Sequence, residues 1–280
     1  MTSLHKDKIA VRLQQLPPLP QAVTELLASF AQEDVDVDKL ARQISHDQAI
    51  TARVLRVANS SFYGLQSKVG TIQEAVVVLG FRAVRSMVLA VGMNSTFRTD
   101  QCRGFDAEIY QRHCVGTSLA AWGLAEMAGC NRDLAFTAGL LHDIGQLALA
   151  SNFPVEYAKA LEYQRQHDCF IVVAERDVLG VDHTQVGGML AETWHFPATL
   201  HQAVSEHHEP AAAKADSIAN LIHVADVTAH ALDFSRLQED MVMPLDPVAW
   251  ERVGGDWLAL RQALPQIEKG FAETCQSLML

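Results

Sequence analysis

Apolar residues recur at three- and four-residue spacing along most of the chain, with proline, glycine or short polar residues at the joints, so the pattern predicts helices throughout. Residues 4–15 read as a short amphipathic helix stopped by Leu16-Pro17-Pro18-Leu19-Pro20, because proline rings block helix continuation. Helices over 20–32 and 36–45 follow, the second capped by Asp36 or Asp38. Asp47 opens AITARVLRVANSSFYG, with Ile50, Val54, Leu55 and Val57 as its core stripe. That helix ends at Asn59-Ser60-Ser61, whose side chains compete for backbone hydrogen bonds. The segment TIQEAVVVLGFRAVRSMVLAVGMNSTF holds two helices hinged near Gly80. Val76-Val77-Val78-Leu79 would also suit a buried strand, but the capping box from Thr71 to Glu74 favours helix.

Cys102 to Gly104 forms a natural boundary. Beyond it the spacing predicts helices at about 106–128, 132–149, 154–167, 171–178, 183–195, 198–208 and 215–233, then 246–253 and 257–279. No strand-period alternation is long enough for a sheet, and no fixed-period repeat is present. The expected fold is therefore all-α, a multi-helix bundle with an N-terminal helical part.

One stretch departs from this bland pattern. AFTAGLLHDIGQLALA, residues 135–150, sets His142 and Asp143 inside an otherwise apolar helix, where an unpartnered charge would be costly. A metal ion removes that cost by taking the imidazole and the carboxylate as ligands. Adjacent helical residues point about 100° apart, so both converge only where the helix ends, and Gly145 is read as the residue that ends it. His113 in IYQRHCVGTSLAAWGLA, with apolar or small residues one turn away, and Asp226 in the apolar helix NLIHVADVTAHALDF are single candidate ligands on separate helices, which completes a His, His-Asp, Asp set suited to Zn, Fe, Mn or Ni. His183, His207 and His208 would supply a second ion. Asp143, with two oxygens, could bridge two metals about 4 Å apart, the separation used in two-metal hydrolysis.

Composition narrows the remaining classes. The net charge of −11, with no cluster of Lys and Arg, argues against nucleic-acid backbone binding. No apolar run is long enough to span a bilayer and no signal peptide opens the chain, so no membrane association and a cytoplasmic location are expected. Five cysteines without a C-x-x-C spacing read as free thiols, while twelve histidines, concentrated after residue 112, are the unusual feature.

The order of these residues resembles the HD superfamily of metal-dependent phosphohydrolases, and the whole chain resembles its HDOD branch, the HD-related output domain of bacterial signalling. The N-terminal half carries the likeness in LPPLPQAV, ISHDQAITARVLRVANSSFYG and TIQEAVVVLGFRAVRSMVLA. The C-terminal half carries it in AGLLHDIGQLAL and ERDVLGVDHTQVGGMLAETWHFPATLHQAVSEHHEP. The resemblance implies an HDOD domain over 16–233, made of an N-terminal helical part (16–104) and an HD-like metal-binding core (105–233), with a helical extension at 234–280. It implies one metal on His113, His142, Asp143 and Asp226 and a second on His183, His207 and His208, with Asp143 between them as the catalytic carboxylate. The implied activity is phosphohydrolysis of a phosphoester or nucleotide. The alternative is a non-catalytic domain that binds a signalling protein and in which the metal is structural or absent.

Three features differ from the related HD-GYP phosphodiesterases and three-metal members. Gln146 stands where the former carry a phosphate-contacting Lys, Pro210-Ala211-Ala212-Ala213 replaces the GYP segment, and Ile109 occupies the place of a Glu found in three-metal members. These differences argue against cyclic di-GMP hydrolysis and a third metal. Glu175 is expected to be an exposed helix carboxylate, with orienting a ligand or serving as an acid as the alternatives. His223 and His230, near the face of Asp226, are expected to pack at the surface or in the core, with one of them as an alternative partner that orients a ligand. Arg53, Arg82 and Arg85 read as a solvated helix face, with a phosphate-binding surface as the alternative.

Overall fold

Side-chain caps punctuate the chain at most of the predicted joints. The computed structural model describes residues 6–16, 19–29, 36–59, 65–94, 96–237 and 241–278, and among them every regular element is helical. The first half comprises α1 (Lys6–Gln14), α2 (Gln21–Ala28), α3 (Val37–His46), α4 (Gln48–Ala58), α5 (Ile72–Leu79) and α6 (Phe81–Asn94). Asp36 caps α3 by accepting from the Lys39 amide, and Asp47 caps α4 through the amides of Ala49 and Ile50. Thr71 caps α5, but Glu74 reaches back to the Gly70 amide, so the capping box closes one residue early. Val76 to Leu79 is helix, and Gly80, at φ 87°, makes the joint to α6. Pro17, Pro18, Ser60 and Ser61, and the predicted helical residues 30–32, lie outside the described residues.

The second half comprises α7 (Ala107–Leu124), α8 (Arg132–Leu141), α9 (Ile144–Asn152), α10 (Pro154–His167), α11 (Ile171–Leu179), α12 (His183–Thr193) and α13 (Ala198–Glu206). A 3-10 turn (Pro210–Ala212), α14 (Ala219–Ala231), α15 (Pro247–Arg252) and α16 (Trp257–Leu278) complete it. Buried residues occur on every side of α7 from Tyr110 to Leu124, as in a helix with neighbours all round. It packs against α8, α14 and α16. The halves are joined by α6 on α8, where Ser86 and Thr137 share a buried hydroxyl–hydroxyl hydrogen bond, and by α4 on α16. One continuous apolar cluster runs through both. None of the described helices is long and apolar enough to cross a membrane, and all five cysteines are free thiols.

The predicted helix over 132–149 is two helices. The chain breaks at His142-Asp143, with Asp143 at φ −96° and ψ 14°, so the pair sits in the turn between α8 and α9. Gly145 does not end a helix, because it lies in the first turn of α9. Its role is close approach: a Cβ there would strike the carbonyl oxygen of His183 and lie 2.9 Å from the amide nitrogen of Gly187. Gly139 does the same on the other side, where a Cβ would fall 2.7 Å from the Cα of Ser118 on α7. The two glycines let α8 settle onto α7 and α9 onto α12, bringing His113 and His183 to opposite sides of the pair.

Candidate metal centre

The seven side chains singled out in the sequence come together at the meeting point of α7, α12, α14, the α8–α9 turn and the end of α13. Asp143 is central. Its Oδ2 lies 3.5 Å from the Nε2 atoms of both His113 and His142, and its Oδ1 lies 3.2 Å from His183 Nε2 and 3.5 Å from His207 Nε2. Asp226 closes the first group, with Oδ1 at 3.1 Å from His113 Nε2 and 3.7 Å from His142 Nε2. His208 completes the second, offering a nitrogen within 4.8 Å of donors from Asp143, His183 and His207. Six of the seven are buried, and His208 is partly so.

Hydrogen bonds on the outer nitrogens fix how the rings face. His142 Nδ1 donates to the Gly139 carbonyl at 2.7 Å, His207 Nδ1 to the Ala203 carbonyl at 2.9 Å, and His183 Nδ1 to Glu175 Oε2 at 2.7 Å. A neutral imidazole that donates from Nδ1 presents a bare lone pair at Nε2. His183 Nε2, His207 Nε2 and Asp143 Oδ1 are consequently buried acceptors turned toward one another, and none has a hydrogen-bond partner. Acceptors in such an arrangement repel unless a proton or a cation sits among them. The donor set is therefore suited to a divalent transition ion on chemical grounds.

Burial and neighbouring charge pull the members of the set in different directions, with His207 and His208 shifted down and His142 and His183 shifted up. Burial would raise the Asp143 carboxyl, but the His142 and His183 rings beside it, with His207 close by, hold it well below the usual carboxylate range. Asp226 is likewise held low against burial, by His230, His113 and His142. Burial pushes His207 and His208 below the ordinary imidazole value, which keeps them neutral and able to donate lone pairs. Burial alone would also lower His183, but the carboxylates of Glu175 and Asp143 outweigh it and lift that ring well above.

A circuit of hydrogen bonds runs behind the donors through Gln146, Tyr157 and Glu175, of which sequence reasoning missed Tyr157 and left Glu175 with more than one reading. Gln146 Nε2 donates to Asp143 Oδ2 at 2.7 Å. The Tyr157 hydroxyl on α10 lies 3.3 Å from Gln146 Oε1 and donates to Glu175 Oε1 at 3.0 Å. Glu175 Oε2 then accepts from both the amide (2.8 Å) and Nδ1 of His183, which faces Asp143 again. Glu175 is thus fully buried on α11, not an exposed helix carboxylate, and it orients His183. Its position four residues from both Ile171 and Leu179, on the apolar face of the helix, is the signal that reveals this. Tyr157 carries no comparable signal. His223 is a buried packing residue, joined to the His207 carbonyl and the Asp246 amide. Outer partners of this kind are worth about 10–100-fold in metal affinity. Glu175→Gln is expected to weaken metal uptake by about that factor, read by competition titration against a chelating indicator. Affinity within twofold of wild type would show that His183 needs no such anchor.

A cleft of about 210 Å3 opens onto the centre, with Phe105, Tyr110, Phe170 and Met243 among its walls, Arg165 at its rim and His113, Asp143, His208 and Asp226 on its floor.

The sequence model of the HDOD domain matches residues 16–210. The chain belongs to the HDOD family. Among solved structures, this HDOD chain superposes with a TM-score of 0.77 on a "Putative phosphohydrolase" from Shewanella amazonensis SB2B, at 27% identity and with 96% of this chain and 97% of that one covered. An HDOD domain protein of unknown function from Geobacter sulfurreducens has the same fold, with a TM-score of 0.77 at 21% identity over 98% of both chains. A curated relative, an uncharacterized protein of Treponema pallidum (strain Nichols), is 26% identical over 204 residues, 71% of this chain; the match spans only 39% of that protein.

Proposed function

We propose that this HDOD chain is a cytoplasmic bacterial signalling protein whose HD-type centre takes two divalent transition-metal ions and hydrolyses a phosphoester or nucleotide. The observation that carries the reading is Asp143, one carboxylate whose two oxygens each face a separate group of histidines. In this reading His113, His142, Asp143 and Asp226 hold one ion, and Asp143, His183, His207 and His208 the other. Bound there, such ions supply Lewis-acid polarisation of phosphoryl oxygen and lower the pKa of water. The chain's own contribution is placement. Asp143 and Asp226 remain ionised despite burial. Glu175 and the backbone carbonyls fix the imidazole tautomers. The apolar walls of the cleft keep water from the organic part of a bound ester, and the Arg165 guanidinium at the rim offers a positive charge to an anionic one. In the domain division that goes with this reading, residues 16–104 form a platform and 105–233 supply every donor.

The second reading, a non-catalytic partner-binding domain, draws on Gln146. Its amide is turned inward onto Asp143 instead of being presented to a phosphate.

Elemental analysis and a phosphoester panel separate the two. About two metal equivalents per chain, with turnover of a nucleotide or aryl phosphate that His142→Ala abolishes while helical circular dichroism is retained, are expected for the enzyme. Metal-loaded protein that turns over no phosphomonoester, phosphodiester or nucleotide excludes it. Chelation should also destabilise the chain: an ion present at about 100 times its Kd contributes about 2.7 kcal/mol, so a fall of roughly 5–10 °C in the melting temperature is expected with excess chelator.

A further inference from the structure

His230 lies four residues after Asp226 on α14, so both project from the same face of that helix. Its Nε2 is 3.5 Å from Asp226 Oδ1, and its ring centroid is 4.5 Å from that of His113. One donor atom from each of His113, Asp226 and His230 falls within 4.8 Å of the other two. Its side chain is 21% exposed against 2% for Asp226, and it lines the cleft. An ion about 2.1 Å from its ligands holds neighbouring donors roughly 3 to 3.5 Å apart. That is the spacing along His113–Asp226, at 3.1 Å, and Asp226–His230, at 3.5 Å. His223, three residues before Asp226, does not compete, because both its nitrogens are taken by backbone groups.

We propose that His230 is a further metal ligand, binding from the cleft side the same ion that His113, His142, Asp143 and Asp226 hold. The inference rests on the metal-centre reading and adds a donor that the HD ligand pattern does not contain. It also bears on the identity of the ion. Four protein donors complete a tetrahedral zinc site, whereas five suit a larger coordination number, as adopted by Fe(II), Mn(II), Co(II) or Ni(II). With His230 in place, the ion has one protein ligand at the edge of the cleft, where an incoming phosphoester would meet it first.

Co(II) is the probe, added to the full chain after its metals are stripped by chelation and dialysis. Affinity and stoichiometry are measured by titration, and coordination by the visible absorption of bound cobalt, for wild type, His230→Ala, His230→Asn and the control His201→Ala. Both His230 variants should bind the first equivalent about 10–100-fold more weakly, with an altered visible spectrum because an imidazole nitrogen has been lost. His201→Ala should match wild type in both. Wild-type affinity and spectrum in the His230 variants would overturn the proposal and leave the metal centre standing. Wild-type chain that takes up no cobalt would remove the metal centre and His230's role together. Should His230→Ala lose its helical circular dichroism, His230→Asn, which keeps a polar side chain, decides.

Discussion

Asp143→Asn is expected to reduce metal uptake from about two ions to one or none and to lower phosphoesterase turnover by about 10³-fold, the effect of losing several kcal/mol of electrostatic stabilisation. The reason is geometric. Oδ2 serves the His113–His142 side and Oδ1 the His183–His207 side, so one substitution strips an anionic donor from both. The amide keeps the shape of the carboxylate but offers one oxygen instead of two and carries no charge. Its nitrogen would also direct hydrogens at lone pairs that a cation should receive. Helix content should persist, because the apolar packing of α7, α8 and α9 is untouched. Elemental analysis with circular dichroism on the same sample checks both halves. Two tightly held ions in Asp143→Asn would show that the carboxylate is not shared.

Much of this centre is legible in the sequence, because burying charge is expensive enough to leave a trace in the pattern. His142 and Asp143 stand out within AFTAGLLHDIGQLALA, His113 stands out between Ile109 and Thr117 one turn away, and Asp226 stands out as a carboxylate within an otherwise largely apolar helix. The helical fold is legible for the related reason that caps and breakers are local. Asp36, Asp47, Thr71 and Asp246 all cap the helices they precede. The circuit through Gln146, Tyr157 and Glu175 is not local. Each residue has an ordinary explanation on its own helix, and only the packing of α9, α10 and α11 joins them. His230 shows the same limit. Its spacing from Asp226 places it on the right face, but spacing does not distinguish a packed ring from a ligand. Gly145 is legible as special but not in its cause, because a glycine two residues past a polar pair fits a helix end as well as a crossing point.

That crossing point supports the second large effect. Gly145→Ala is expected to destabilise the chain by about 3 kcal/mol or more, at or beyond the upper end for overpacking, with a melting temperature lower by on the order of 10 °C. The obstacle is what sets the size. Most inserted methyl groups meet side chains that can turn aside, but a Cβ on Gly145 meets the His183 carbonyl, the His183 carbonyl carbon at 2.8 Å and the Gly187 amide nitrogen at 2.9 Å, all of them backbone. Either α9 or α12 must therefore move. Any such movement draws His183 away from Asp143 and the Glu175 carboxylate, so metal affinity should fall together with stability. Gly70→Ala serves as the control, since its added Cβ meets only Glu74 Oε2 at 3.7 Å. Thermal melts with and without chelator separate the two consequences: loss of packing lowers both curves, whereas loss of the second ion narrows the gap between them. A Gly145→Ala chain that melts within 2 °C of wild type and retains its metal would mean that the close contact of α9 with α12 does not set the distance between His183 and Asp143.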